Sequence, residues 1–397
     1  MFMQIARDRQ LDGLRAVAVS MVLYGHFFAA DGSYWGHIGV RLFFVLSGFL
    51  ITRLLLEARA DSSFERAVAL KSFYARRALR IFPPYFAVLG FVWLTGLESS
   101  REVLAWHALY LSNFWYALQN AWTPWVLCHT WSLSIEEQFY IAWPLVMLLA
   151  PRRSIPAICL GVIAFSLAYR FYWPLTGTPS LGRDLLPPAS MDALAVGALL
   201  ADNRSMGVTW PRSIERSWMP LLAVSLILLW FRPTPKPPLL EWLAWMGLEV
   251  FPLLPLALLV GSCSRGIGGA FGRLFECAPM TALGRISYGV YLYHAIVLAL
   301  VVQAQPFIPV NVLEQGPGRF LVAGLGTLIL ASISWFAFEQ PLNALKRHFP
   351  YVRRTGARIA LANAGKGVGV GRGTEETPAF PRVSGERAKA FQTSDIQ

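Results

Sequence analysis

Again and again this chain runs apolar for about as long as a helix needs to cross a bilayer. A crossing takes about 20 mostly apolar residues. Runs of that kind fall at 11–30, 38–56, 81–97, 135–150, 155–173, 188–201, 218–231, 243–262, 283–303 and 319–339, several of them short or interrupted by Pro and Gly. Between them there is too little charge to coat a water-facing surface. Of 397 residues 15% are charged and 55% hydrophobic, where a soluble domain carries about 25% charged residues. Lipid is therefore the solvent, and in lipid every backbone polar group has to be satisfied within its own segment or a closed barrel. The expectation is an all-α, polytopic membrane bundle of about ten transmembrane helices, which excludes a soluble enzyme, a disordered chain and a fibre. Fifteen Trp, 26 Phe and 13 Tyr suit aromatic belts at two interfaces.

The net charge of +12 would suggest nucleic acid in a soluble protein. Here it follows from Lys and Arg concentrated in one set of loops. Fifteen lie in the set that includes Arg59, Arg66, Lys71, Arg76, Arg77 and Arg80, and four (Arg101, Arg183, Arg232, Lys236) in the other. The richer set is cytoplasmic, so both termini are expected inside. The stretch 103–118, with His107, Asn113 and Tyr116, is then re-entrant or interfacial, because a crossing there would invert every later loop. The first run holds Asp12, Arg15 and His26 and has no clean apolar core followed by an A-x-A site, so it reads as a retained span rather than a signal peptide. After Pro350 the sequence turns to Gly, Ala, Arg and Thr without apolar periodicity. The expected division is a membrane domain over 1–350 and a disordered basic cytoplasmic tail over 351–397, in which Arg353, Arg354 and Arg358 either meet anionic headgroups or are simply solvated.

Ionisable residues within spans point to function. Arg15 and His26 are eleven residues apart, which on an α-helix is 20° past three turns and about 16 Å along the axis. They share a face without touching, so an elongated substrate could engage both; alternatively Arg15 snorkels to the surface and His26 is satisfied inside the bundle. Arg77 and Arg80 are helical i,i+3 neighbours at the membrane edge, and paired guanidiniums suit phosphate. In 129–140, Glu136 and Glu137 fall on different faces at the start of an apolar run. Glu136 is expected to point inward, and Glu137 to favour the helix N-terminus. Asp192 and His294 lie deep in two further spans, and with Asp12 they suggest a polar interior cavity. Such a cavity would also serve a transporter or flippase, though no inverted repeat is present.

Other chemistries are absent. There is no GxSxG elbow, no P-loop, and no HExxH or paired-ligand spacing among histidines 26, 37, 107, 129, 294 and 348. Cys128, Cys159, Cys263 and Cys277 show no CxxC spacing, so neither a metal site nor a disulfide framework is expected. His26 and Asp31 form an HxxxxD string, but five residues place them 140° apart on a helix, and the match is read as chance.

An ordered set of blocks carries a resemblance. Leu11-Asp-Gly-Leu-Arg15 is followed by His26; then come Gly39–Thr52, Arg76-Arg-Ala-Leu-Arg-Ile81, Thr130–Glu136, Met191-Asp192, Ser287–His294 and Phe338-Glu-Gln-Pro341. Over roughly 8–350 the chain resembles the acyltransferase-3 family of membrane O-acyltransferases, in a stand-alone form without the C-terminal esterase-like domain of many relatives. One departure is Ser190, where an Arg often precedes the hydrophobe–Asp pair. The resemblance implies transfer of an acyl group, acetyl by default, from cytoplasmic acyl-CoA to a sugar hydroxyl of a surface or exported polysaccharide, in a bacterial inner membrane. It implies acyl-CoA as co-substrate, a glycan or glycolipid acceptor, and no permanently bound cofactor. Arg77 and Arg80 would hold the donor's phosphates, Arg15 would assist, His26 would be the general base, and Glu136 would orient its imidazole.

Overall fold

Among the described residues every element is a helix, as a chain solvated by lipid requires. The computed structural model describes residues 9–29, 34–176, 180–205, 217–230, 250–304 and 316–352. Six helices are long and apolar enough to cross a membrane: Tyr34–Arg59, Arg66–Thr95, Arg152–Tyr172, Gly182–Asn203, Ala278–Gln303 and Pro317–His348. A seventh is added if Leu253–Arg265 and Gly269–Glu276, bent by 81°, form one broken span. The chain is thus a multi-pass membrane protein. Ile141, Leu321, Ile329, Ile333 and Phe336 stand outward and exposed, which is stable only against lipid.

The expected spans that are not among these six have identifiable reasons. The first forms α1 (Arg9–Leu23) and runs on as a π-turn over Tyr24–Phe28; Arg9, Asp12 and Arg15 lower its mean hydropathy. The run expected at 135–150 belongs to a longer helix that begins at Thr130 and carries Glu136 and Glu137. The run at 218–231 is a helix of 13 described residues. All of 231–249, including the start of the run expected at 243–262, lies outside the described residues, as does the expected tail beyond Val352. The stretch 103–118 is broken into helices of five residues (Leu104–Ala108) and eight (Ser112–Gln119), neither long enough to cross alone.

For the elements that build the site, α2 is Tyr34–Arg59, α3 is Arg66–Thr95, α4 is Thr130–Leu149, α5 is Ile155–Thr176, α6 is Pro188–Ser205 and α7 is Ala278–Gln303. Helix α1 packs on α2 and α7, and α2 packs on α6. Glycines let these backbones approach closely. A Cβ on Gly48 of α2 would fall on the Leu194 carbonyl of α6, and one on Gly197 of α6 would fall on the Val45 carbonyl of α2. Gly284 of α7 meets the Asp12 carbonyl of α1 in the same way. The buried Gln10 satisfies backbone left open where the chain bends at 266–268. Its amide nitrogen donates to the Ile267 carbonyl at 2.9 Å, and its amide oxygen accepts from the Ile267 N–H at 2.7 Å.

Candidate functional site

The site begins with three arginines. Arg15 from α1 and Arg77 and Arg80 from α3 line one cavity, together with Ser47 of α2, Ser132, Glu136, Glu137 and Tyr140 of α4, and Tyr288 and Tyr291 of α7. The i,i+3 pair therefore does share a face, and that face opens inward. Other arginines of the same loop do different work. Arg76 donates to the Lys346 carbonyl at 2.7 Å, and Arg59 donates to the Met147 and Ala150 carbonyls, each at 2.8 Å. Both guanidiniums thus occupy carbonyls at helix ends, where cations are favoured. Asp12 bonds Arg15 at 3.1 Å and is itself buried. Its place is as a partner of a cavity arginine; it is not among the lining residues. Arg77 lies 4.9 Å from the centroid of the Tyr140 ring, a cation–π distance.

Glu136 accepts from Ser47 Oγ at 2.7 Å, and the Tyr140 hydroxyl donates to the same Ser47 oxygen at 3.1 Å. Because α4 begins at Thr130, its first turn contains no acidic residue. The expectation that Glu137 answers the helix dipole is therefore corrected: Glu137 lies past the first turn, buried, on the wall of the cavity.

His26 stands apart from that cavity. It sits in the π-turn, half-buried, and its Nδ1 is 2.7 Å from Nε2 of the fully buried His294. Their rings stack with centroids 4.9 Å apart. His294 Nδ1 is bonded in turn to the Tyr291 carbonyl. A third imidazole, His129, meets His294 edge-on at 4.9 Å, and Trp125 meets His26 edge-on at 6.1 Å. Two expectations change here. His294 is the partner of His26 rather than a separate cavity residue. No hydrogen bond among the described residues joins Glu136 to His26, whose imidazole is oriented by another imidazole. The shared face of Arg15 and His26 is also altered, because a π-turn carries one extra residue per turn and 100° per residue no longer applies at His26. Among the described residues no group of three His, Cys, Asp or Glu is arranged to hold a metal ion.

Asp192 is not in the cavity either. It is fully buried between two arginines: Arg41 of α2 donates to Oδ2 at 2.8 Å, and Arg170 of α5 donates to Oδ1 at 3.3 Å and also to the Ala189 carbonyl. This ion cluster ties three helices together. Ser190, at the position before the Met-Asp pair, brings no cation of its own to this cluster. His107 is structural. Its Nδ1 is 2.8 Å from Thr130 Oγ1, and burial pushes its imidazole down to about 3, so it is neutral near pH 7.

The residues that sequence reasoning passed over are His129, Tyr291, Ser47, Arg41 and Arg170. His129 opens the same 129–140 block as the glutamates, a signal that was present. The partners of Asp192 carried no local signal.

A family model described as an acyltransferase domain, acyltransferase-3, matches residues 8–336. The chain belongs to the acyltransferase-3 family. Among curated relatives of that family type, YrhL of Bacillus subtilis (strain 168), named as a candidate peptidoglycan O-acetyltransferase, is 29% identical over 84% of this chain and 54% of its own length. A candidate O-acetyltransferase of Staphylococcus aureus (strain COL) is 30% identical over 83% and 56%. The peptidoglycan O-acetyltransferase OatA of Listeria monocytogenes is 27% identical over 84% and 55%. The acyltransferase-3 chain described here thus spans about half the length of the curated relatives it matches. No solved structure matches it.

Proposed function

We propose that this acyltransferase-3 protein moves an acyl group, acetyl by default, from cytoplasmic acyl-CoA to a hydroxyl of a sugar in a surface or exported glycan. In this reading it sits in a bacterial cytoplasmic membrane with ten crossings and both termini inside. The observation that carries the proposal is the convergence of Arg15, Arg77 and Arg80 on one cavity inside an apolar bundle. Guanidiniums held in lipid-shielded surroundings suit a polyanionic donor, because each offers a planar fork to phosphate. The printed names of the relatives support a glycan acceptor. The transporter reading gains no supporting observation.

The chemistry then follows from the cavity and the histidine pair, which meet at Tyr291. Its ring lines the cavity and its carbonyl holds His294, which holds His26. The acceptor hydroxyl attacks the thioester carbonyl carbon while His26 takes the hydroxyl proton. The carbon–sulfur bond breaks, the ester forms, and the thiolate leaves and recovers the proton. Trp125 lines a separate groove with Glu98, Gln303 and Arg319, and its ring reaches His26. A sugar stacked on Trp125 would lie beside the imidazole.

The test is transfer by the purified protein in sealed vesicles, with radiolabelled acetyl-CoA supplied on one side and a peptidoglycan or teichoic-acid fragment on the other. Label is expected on the glycan, and it is expected to be lost in His26→Gln. Failure of acetyl-CoA to bind or to donate to any glycan would overturn the proposal.

A further inference from the structure

His294 sits between two groups that leave its protons one arrangement. The Tyr291 carbonyl can only accept, so His294 Nδ1 carries the hydrogen of that bond. His294 is fully buried, with no carboxylate among its hydrogen-bond partners, so a second proton would leave an uncompensated buried cation. Its Nε2 is therefore a lone pair. Across the 2.7 Å contact, His26 Nδ1 has to be the donor. What remains on His26 is Nε2, unprotonated and without a hydrogen bond among the described residues. It faces the Gly36 position of α2, where a Cβ would lie 4.0 Å away.

We infer that His294 is the positioning residue of the reaction: anchored on the Tyr291 carbonyl, it fixes His26 as the Nδ1–H tautomer, so that Nε2 is the nitrogen that takes the acceptor's proton. The inference rests on the reading of His26 as general base. When Nε2 takes that proton, His26 becomes an imidazolium whose Nδ1–H still points at the lone pair of His294, so the new charge is met by an acceptor already in place and no group has to reorient. No proton leaves the pair; the one taken from the hydroxyl returns to the departing thiolate. A carboxylate in this position would be a stronger orienter but would bring a charge into the bundle. A second imidazole, locked by the backbone, orients without one.

The experiment is nuclear magnetic resonance of protein in nanodiscs labelled with carbon-13 and nitrogen-15 at histidine, with the His26 signals assigned by their loss in His26→Gln. The expected spectrum has His26 protonated at Nδ1. His26 protonated at Nε2 in the wild type would overturn the inference with no reference to activity. The paired kinetic arm compares His294→Phe with His294→Gln. Phe keeps the ring volume but removes the acceptor, so kcat is expected to fall by about 100-fold, the usual scale for an impaired general base, with donor KM unchanged. Gln can place its carbonyl oxygen at Nδ1–H of His26 and is expected to restore part of kcat and the Nδ1–H signal. Equal turnover in folded His294→Phe and wild type would sink the positioning role. Loss of the base reading itself shows differently, as full turnover in His26→Gln.

Discussion

Arg77 and Arg80 differ from the other arginines of their loop in what their guanidiniums meet. Arg59 and Arg76 are committed to backbone carbonyls, whereas Arg77 and Arg80 face the cavity. Removing either cavity arginine should weaken donor binding by about 10- to 150-fold, the worth of one charge-assisted contact at roughly 1.5–3 kcal/mol; binding of acetyl-CoA to Arg77→Ala and Arg80→Ala in nanodiscs measures it. Arg80→Lys should restore part, since a compact ammonium lacks the fork. Asp192 predicts the opposite phenotype. Asp192→Asn leaves Arg41 and Arg170 buried against a neutral amide, and breaking a buried pair costs about 3–5 kcal/mol. Thermal unfolding in detergent should show the loss, while the fraction that folds should bind acetyl-CoA normally. The contrast marks what was legible at this scale. Arg77 and Arg80 could be placed on one face from an i,i+3 spacing, because that relation is local. The burial of Asp192 was legible from hydropathy, but its partners were not, because Arg41 and Arg170 come from other helices, 151 and 22 residues away, and nothing in a run of apolar residues says which neighbour a carboxylate will meet.

Among the elements, the packing of α2 on α6 depends on two glycines set against each other's backbone. Gly48→Val or Gly197→Val would put side-chain atoms where a carbonyl oxygen lies, so each should abolish accumulation of folded protein, read as the monodisperse fraction after detergent extraction. Gly90 of α3 has nothing within 4 Å of a Cβ and serves as the counter-case. Gly90→Ala should raise stability by about 0.5–1 kcal/mol, because it removes freedom from the unfolded chain at a helical position. The six long apolar helices were readable from their apolar lengths, and 103–118 was set apart from them by its polar residues and the charge count of the loops. Their boundaries were less so. The helix of Glu136 starts at Thr130 because Thr130, Ser132 and Ser134, polar by composition, are buried and hydrogen-bonded within the bundle. Hydropathy alone therefore began that helix late, and with it misplaced the role of Glu137.

At the scale of the whole molecule, the positive-inside argument makes a prediction that needs no enzyme assay. Single cysteines at Ser99 and Asn120 should be labelled by a membrane-impermeant maleimide added to intact cells, and a cysteine at Ser62 only after permeabilisation. Labelling of Asn120Cys from the cytoplasmic side alone would break the ten-crossing arrangement. Apolar length and the low share of charged residues were enough to read the class of the molecule. The pairing of His26 with His294 was not legible, because His26 sits in the π-turn at Tyr24–Phe28, a departure from helical phase that periodicity assumes away. That turn makes α1 a screw whose thread changes part-way: the residues before Tyr24 and those after it are docked on their neighbours in two different phases. Deleting one residue there, Gly25 for example, would be a rotation before it was a shortening. The regular helix would re-form, Arg15 would keep its place, and the imidazole that follows would be turned away from His294, leaving a protein that still holds its donor and has lost the means to use it.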